Sequence, residues 1–231
     1  MADVDGYGSL VGTRGRQIPL ANTALTEGSL EEVQTDSNFV GSAQTAGTYA
    51  DQLQGGFGLS ASGIVAETSI AYAYIRSAGT IKAALPFGAS GLGGDRLPAP
   101  LPYPKRLVAG DQVMVMSNSS TDREVGLTIA TSSGEYHCFS VTPSGSGEHE
   151  LVSVLTGLTL GQTLQGRQCT HAFVSGGNND TNFSSPIYIV NGSGIPVGSI
   201  LPTDVRTNSC TYTRMVCPID LNSRAVFRTD A

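Results

Sequence analysis

The sequence predicts an all-β fold, an antiparallel β-sandwich, on three observations. First, residues 107–174 hold five strand-length runs: Leu-Val-Ala-Gly-Asp-Gln-Val-Met-Val-Met, Glu-Val-Gly-Leu-Thr-Ile-Ala-Thr, Glu-Tyr-His-Cys-Phe-Ser-Val, Glu-His-Glu-Leu-Val-Ser-Val-Leu and Arg-Gln-Cys-Thr-His-Ala-Phe-Val. Each is closed by Gly, Ser, Asn, Asp or Pro, the punctuation expected between strands. Second, the runs alternate with period two. Val125, Leu127 and Ile129 share one face, with Glu124, Gly126, Thr128 and Ala130 on the other. Third, no stretch of comparable length carries a helical period.

Taken in order, residues 1–56 are rich in Gly, Ser, Thr, Asn, Asp and Gln, and their apolar residues come in short pieces. They read as an extended, mostly irregular N-terminal arm, ordered by packing on a neighbour. Within it, Ser29 is placed to cap a helical turn beginning at Leu30. The sheet region opens near Leu59. Residues 69–75 alternate, Ser77-Ala-Gly turns the chain, and residues 80–86 return it as a hairpin. A Gly-rich loop over 87–95 leads to residues 97–104, where four prolines predict a stiff connection. After the central runs, residues 157–166 suit a short helix or turn. Residues 186–190 form a strand, 191–194 a turn and 195–202 a returning strand. Residues 210–217 read as the last long strand, and 225–227 as a short final one. The domain organisation is therefore an arm over 1–56 and one sandwich domain over 57–231.

Composition narrows the function. The 231 residues are enough for one substantial core. Charged residues make up 14%, against roughly 25% in ordinary soluble domains. A surface of neutral hydroxyl, amide and backbone groups suits contacts between subunits. The net charge of −6 argues against direct nucleic-acid binding, since the 13 basic residues are scattered and Lys105-Arg106 is their densest group. Residues 1–5 are acidic with no apolar region after them, so no secretory leader is expected and synthesis in a cytoplasm is. No apolar run approaches the roughly 18 residues of a membrane span. Four sequons, at Asn118, Asn179, Asn182 and Asn191, are read as surface loops.

Reactive residues form no recognisable constellation. Cys138, Cys169, Cys210 and Cys217 include no Cys-x-x-Cys pair, and buried free thiols are their default state. Disulfides are the main alternative to free thiols; a metal site is also conceivable, since Cys169 and His171 share a face of a regular strand and Cys138 or Cys210 could complete it. Cys210 and Cys217 differ by an odd count and fall on opposite faces. Residues 88–92, Gly-Ala-Ser-Gly-Leu, lack the last glycine of a nucleophile elbow, and His149-Glu-Leu-Val-Ser is not a zinc-protease motif. No Gly-Lys-Ser/Thr occurs, and the Gly-rich loop precedes prolines and not a helix, so it is no phosphate cradle. Glu148 and Glu150 flank His149 and read as a solvated strand edge; sugar-cleaving clefts need aromatic platforms, and Trp is absent. The expectation is no catalytic, cofactor-binding or metal-binding residue, and no enzyme.

The Leu-Val-Ala-Gly-Asp-Gln-Val-Met-Val segment at 107–115, following prolines and opening a run of short strands, resembles a viral jelly-roll. The chain is similar, over roughly residues 60–218, to the single jelly-roll major capsid proteins of internal-membrane icosahedral viruses of archaea and bacteria. That resemblance implies a single jelly-roll capsid subunit, located in the virion, with copies of itself and a second capsid protein as partners and an internal membrane nearby. It transfers no site residue. The low charge departs from the acidic halophilic members, so a high-salt host is not implied. The other reading is a carbohydrate-binding sandwich of a secreted or virion-surface protein, using Tyr72, Tyr74, Tyr103 or Tyr188 to stack on sugar.

Overall fold

The computed structural model describes residues 4–12, 17–26, 29–35, 42–49, 57–60, 65–66, 71–87, 89–90, 102–103, 105, 107–117, 125–176, 186–200 and 213–229. The segment expected to be an irregular arm carries strands. β1 (Val4–Gly12) and β2 (Gln17–Leu25) form a hairpin, and Val33 separates β3 (Leu30–Glu32) from β4 (Gln34–Thr35). β5 (Phe57–Ser60) pairs with β1, giving a four-stranded sheet of order β4-β2-β1-β5 that crosses the expected boundary at residue 56. Polar composition hid these strands, because ladder hydrogen bonds come from the backbone and need no apolar run. Nor does a helix begin at Leu30. Ser29 N donates to Thr26 O at 3.0 Å and Thr26 N to Glu31 Oε1 at 2.7 Å, closing a turn. Residues 30–32 then pair with Met114–Met116. An isolated turn of helix is marginal in water, and the strand wins by joining an existing sheet.

β6 (Val65–Ala66) pairs in parallel with β9 (Ala89–Ser90). Between them β7 (Ala71–Ser77) and β8 (Thr80–Phe87) make the expected hairpin, turning at Ala78 (φ 47°) and Gly79 (φ 82°). Two consecutive left-handed residues give the turn that matches strand twist. β10 (Gln112–Ser117) pairs with β7 and β3, completing a second sheet of order β3-β10-β7-β8.

The remaining central runs become β11 (Val125–Thr131), β12 (Tyr136–Val141), β13 (Gly147–Ser153) and, after helix α1 (Leu160–Leu164), β14 (Cys169–Gly176). β11, β12 and β13 are successive antiparallel neighbours, and β14 returns to lie beside β11. The spatial order β14-β11-β12-β13 is a Greek key. α1 starts at the capping box of Thr159 and Gln162, each side chain bonding the other's backbone N–H. β15 (Ile187–Val190) and β16 (Pro196–Ile200) form the second expected hairpin, and Asn191 Oδ1 accepts from the backbone N–H of Ser193 and Ile195 in its turn. Of the strand expected over 210–217, Thr213–Arg214 pair as β17 among the described residues; Cys210 and its facing lie outside them. β18 (Arg224–Thr229) is longer than expected and lies between β13 and β15.

These strands make one sheet of order β16-β15-β18-β13-β12-β11-β14-β17. It curls until β14 approaches β16, a near-barrel. Inside lie Val125, Leu127, Ile129, Phe139, Leu151, Ile187, Ile189 and Phe227, closed by Leu160 and Leu164 of α1. The opposite face of β11 and β12 packs on the β3-β10-β7-β8 sheet, where Cys138 meets Tyr74, Ala84 and Met114. β11 is therefore buried on both faces. The architecture is an all-β antiparallel sandwich whose larger layer nearly closes on itself.

Candidate functional site

The strand ladder brings the chain's best-defined charged cluster onto the outer face of β13, β18 and β15. Register pairs Glu148 with Arg228 and Glu150 with Val226. Arg228 Nη2 donates to Glu148 Oε2 at 3.1 Å, while Arg224 stands 3.4 Å from Glu148 Oε1 and 3.8 Å from Glu150 Oε2. The Arg228 guanidinium lies over the Tyr188 ring, 5.7 Å from its centre. His149 points the other way along the strand and meets the Thr229 hydroxyl at 3.0 Å. Two carboxylates are thus balanced by two guanidiniums at a partly exposed position, where each pair is worth about 1 kcal/mol or less. Arg224 and Arg228 take up both carboxylates as ion-pair partners.

The described tyrosines do not gather into a sugar platform. Tyr74 is 5% exposed inside the sandwich. Tyr103 is half-buried and set edge-on to His171, 5.7 Å between ring centres. Tyr188 has one ring face covered by Arg228. The side chain of Tyr72 lies outside the described residues.

The Cys169/His171 pair is separated by a bulge. Ala130 pairs with His171 but Thr131 with Cys169, so Thr170 is the extra residue, and its hydroxyl donates to Ala130 O at 3.1 Å. Cys169 consequently turns into the core while His171 faces Tyr103. A bulge reverses the facing that period two predicts. Among the described residues no three His, Cys, Asp or Glu side chains stand where they could hold a metal ion. Cys138, Cys169 and Cys217 are free thiols. Burial pushes Cys138 up to about 12 against a hydrogen bond from Thr128, and Cys169 up to about 11, with Cys217 adding to the shift.

One polar centre escaped the sequence reading. Asp111, in the Ala-Gly-Asp turn that opens β10, is 3% exposed. Its Oδ2 accepts from Val108 N at 2.9 Å, its backbone O accepts from Gly47 N at 2.8 Å, and Lys82 Nζ stands 3.9 Å from Oδ1. Lys105 is near enough for burial to lower its pKa while Asp111 opposes the shift. The same lysine adds to the burial that lowers His137. Tyr136 fixes this region: its hydroxyl donates to Tyr103 O and accepts from Tyr103 N at 2.8 Å, which pins the chain ahead of Lys105 against β12. The arrangement orders a crossing connection, and the signal for it was the Asp closing a glycine turn.

Large apolar side chains are exposed at one end of the near-barrel. The turn at 191–195, the start of α1 and the turn at 220–223 meet there. A Cβ on Gly192 would stand 2.9 Å from the Asn222 Cβ, and one on Gly161 2.4 Å from Leu221 O. Ile195 (60% exposed) and Leu221 (49%) stand on these turns, and Leu158 (43%) just ahead of the Thr159 cap of α1. No helix among the described residues is long and apolar enough to cross a membrane. Comparison of the chain with protein-family models, with characterised proteins and with solved structures finds no match.

Proposed function

We propose that this chain is a structural subunit of a virion shell, assembling through symmetric contacts with copies of itself and with a second capsid protein. The observation that carries the reading is the exposed apolar side chains of Ile195, Leu158 and Leu221 at one end of a sandwich that carries few charges. Apolar groups that stay exposed in one subunit gain about 25 cal/mol per Å² when a neighbour covers them. Repeated by symmetry, such modest contacts close a shell. The Greek-key sandwich and the resemblance at 107–115 agree with this reading. A carbohydrate-binding module has less support, because Tyr74 is buried and Tyr188 is capped by Arg228.

The test is light scattering after size exclusion on the full chain and on the Ile195→Asp/Leu221→Asp variant. Both positions are exposed, so the variant keeps its fold by circular dichroism. The reading expects large species for the native chain and their loss in the variant. A concentration-independent monomer for both would contradict it.

A further inference from the structure

The eight-stranded sheet ends on β16 at one edge and β17 at the other, and the chain leaving β17 runs between them. Met215 N donates to Thr170 O at 2.9 Å, continuing the antiparallel course set by His171 and Arg214. Residues 215–217 therefore lie alongside the start of β14. Their burial alternates: Met215 is 7% exposed, Val216 74%, and Cys217 packs half-buried on the core cluster that contains Cys169. From the other edge, Gly198 of β16 faces the same thiol; a Cβ there would stand 3.4 Å from the Cys217 Cβ and 3.7 Å from its Sγ. Thr170's bulge turns Cys169 inward toward that core. Continued, the His171–Arg214 register sets Val216 across from Cys169 and makes Cys217 the next residue along, packed on the same core as Cys169 and close enough to add to the rise of its pKa. Segments paired in this way run about 5 Å apart, so two free thiols one register step apart come within reach of a disulfide.

We propose that Cys169 and Cys217 form a disulfide that ties the segment lying in the seam of the near-barrel to β14 when the chain meets a low-molecular-weight disulfide such as oxidised glutathione. Cys217 is the more exposed and reacts first. It gives its proton to water, and its thiolate attacks one glutathione sulfur, expelling glutathione thiolate. Cys169, deprotonated in turn, attacks the Cys217 sulfur of the mixed disulfide and expels the second glutathione. Two protein thiols are oxidised by two electrons and one glutathione disulfide is reduced to two thiols. Burial raises both thiol pKa values, so the bridge forms slowly near neutrality and faster in mild alkali.

The experiment incubates the folded full chain with oxidised glutathione, blocks free thiols, digests without reduction and maps linked peptides by mass spectrometry. The expected product is a Cys169–Cys217 peptide, formed faster at higher pH and accompanied by a rise in Tm of about 10 °C that reduction reverses. Cys217→Ala and Cys169→Ala each remove that peptide, and Cys138→Ala leaves it. Two results would overturn the proposal: Cys217 bridged to Cys210, or Cys217 carrying glutathione with no internal bridge. The map of the native chain decides between these even where a variant folds poorly.

Discussion

Tyr136 shows how one side chain can hold a connection. Its hydroxyl is both donor and acceptor to the backbone of Tyr103, and it is 4% exposed. Tyr136→Phe leaves that backbone N–H and carbonyl without their partner, at a cost of about 1–3 kcal/mol by urea denaturation. Gly47 is as constrained for a steric reason: a Cβ there would stand 2.4 Å from Asp111 N. Protonation adds a global signature. Burial raises Cys138 from 9.0 to about 12, Cys169 from 9.0 to about 11 and Tyr136 from 10.0 to about 12. The folded chain therefore keeps protons that the unfolded chain releases once pH passes 9.0–10.0. Stability is full below that window and falls as pH rises through it toward the folded values. Lys105, lowered by burial, works in the opposite sense but is one group against four, since burial raises Cys217 as well. Urea midpoints should decline between about pH 9 and pH 11, and less steeply in Cys138→Ala.

At the scale of elements, local chemistry sets the ends and tertiary pairing sets the rest. Thr159→Ala breaks the capping box of α1 and should cost about 1 kcal/mol in chemical denaturation. Ala78 holds a positive φ of 47° in the β7–β8 turn, a conformation Asn tolerates better. Ala78→Asn should therefore stabilise the chain by up to about 1 kcal/mol, seen as a higher Tm. The five runs over 107–174, both hairpins and the short helix were legible because side-chain periodicity and turn residues state them directly. β1 and β2 were not, since their sequence is polar and Gly-rich and their pairing is a backbone matter. The Cys169/His171 facing was illegible for a different reason: one bulged residue, Thr170, reverses it, and nothing in Cys-Thr-His announces a bulge. The length of β18 reflects partners far away in sequence. Of the candidate surface, Glu148 and Glu150 were visible but read as a strand edge; β13 lies between β12 and β18, so they stand on a sheet face, and their arginines lie more than seventy residues on, in β18.

The whole molecule is a near-closed antiparallel barrel backed by a second sheet, with paired charges on one face and an apolar rim at one end. In the proposed shell, an apolar end too small to hold one partner tightly would be enough when every subunit offers it in a closed array. Loss of the rim should therefore abolish assembly while leaving monomer stability within about 0.5 kcal/mol, as surface substitutions do. The measurement that tests the shell reading most directly is electron microscopy of the purified full chain, alone and with a co-expressed second capsid protein. The account predicts closed particles or regular lattices. Isolated single subunits in every field, at all protein concentrations and in both preparations, would contradict it.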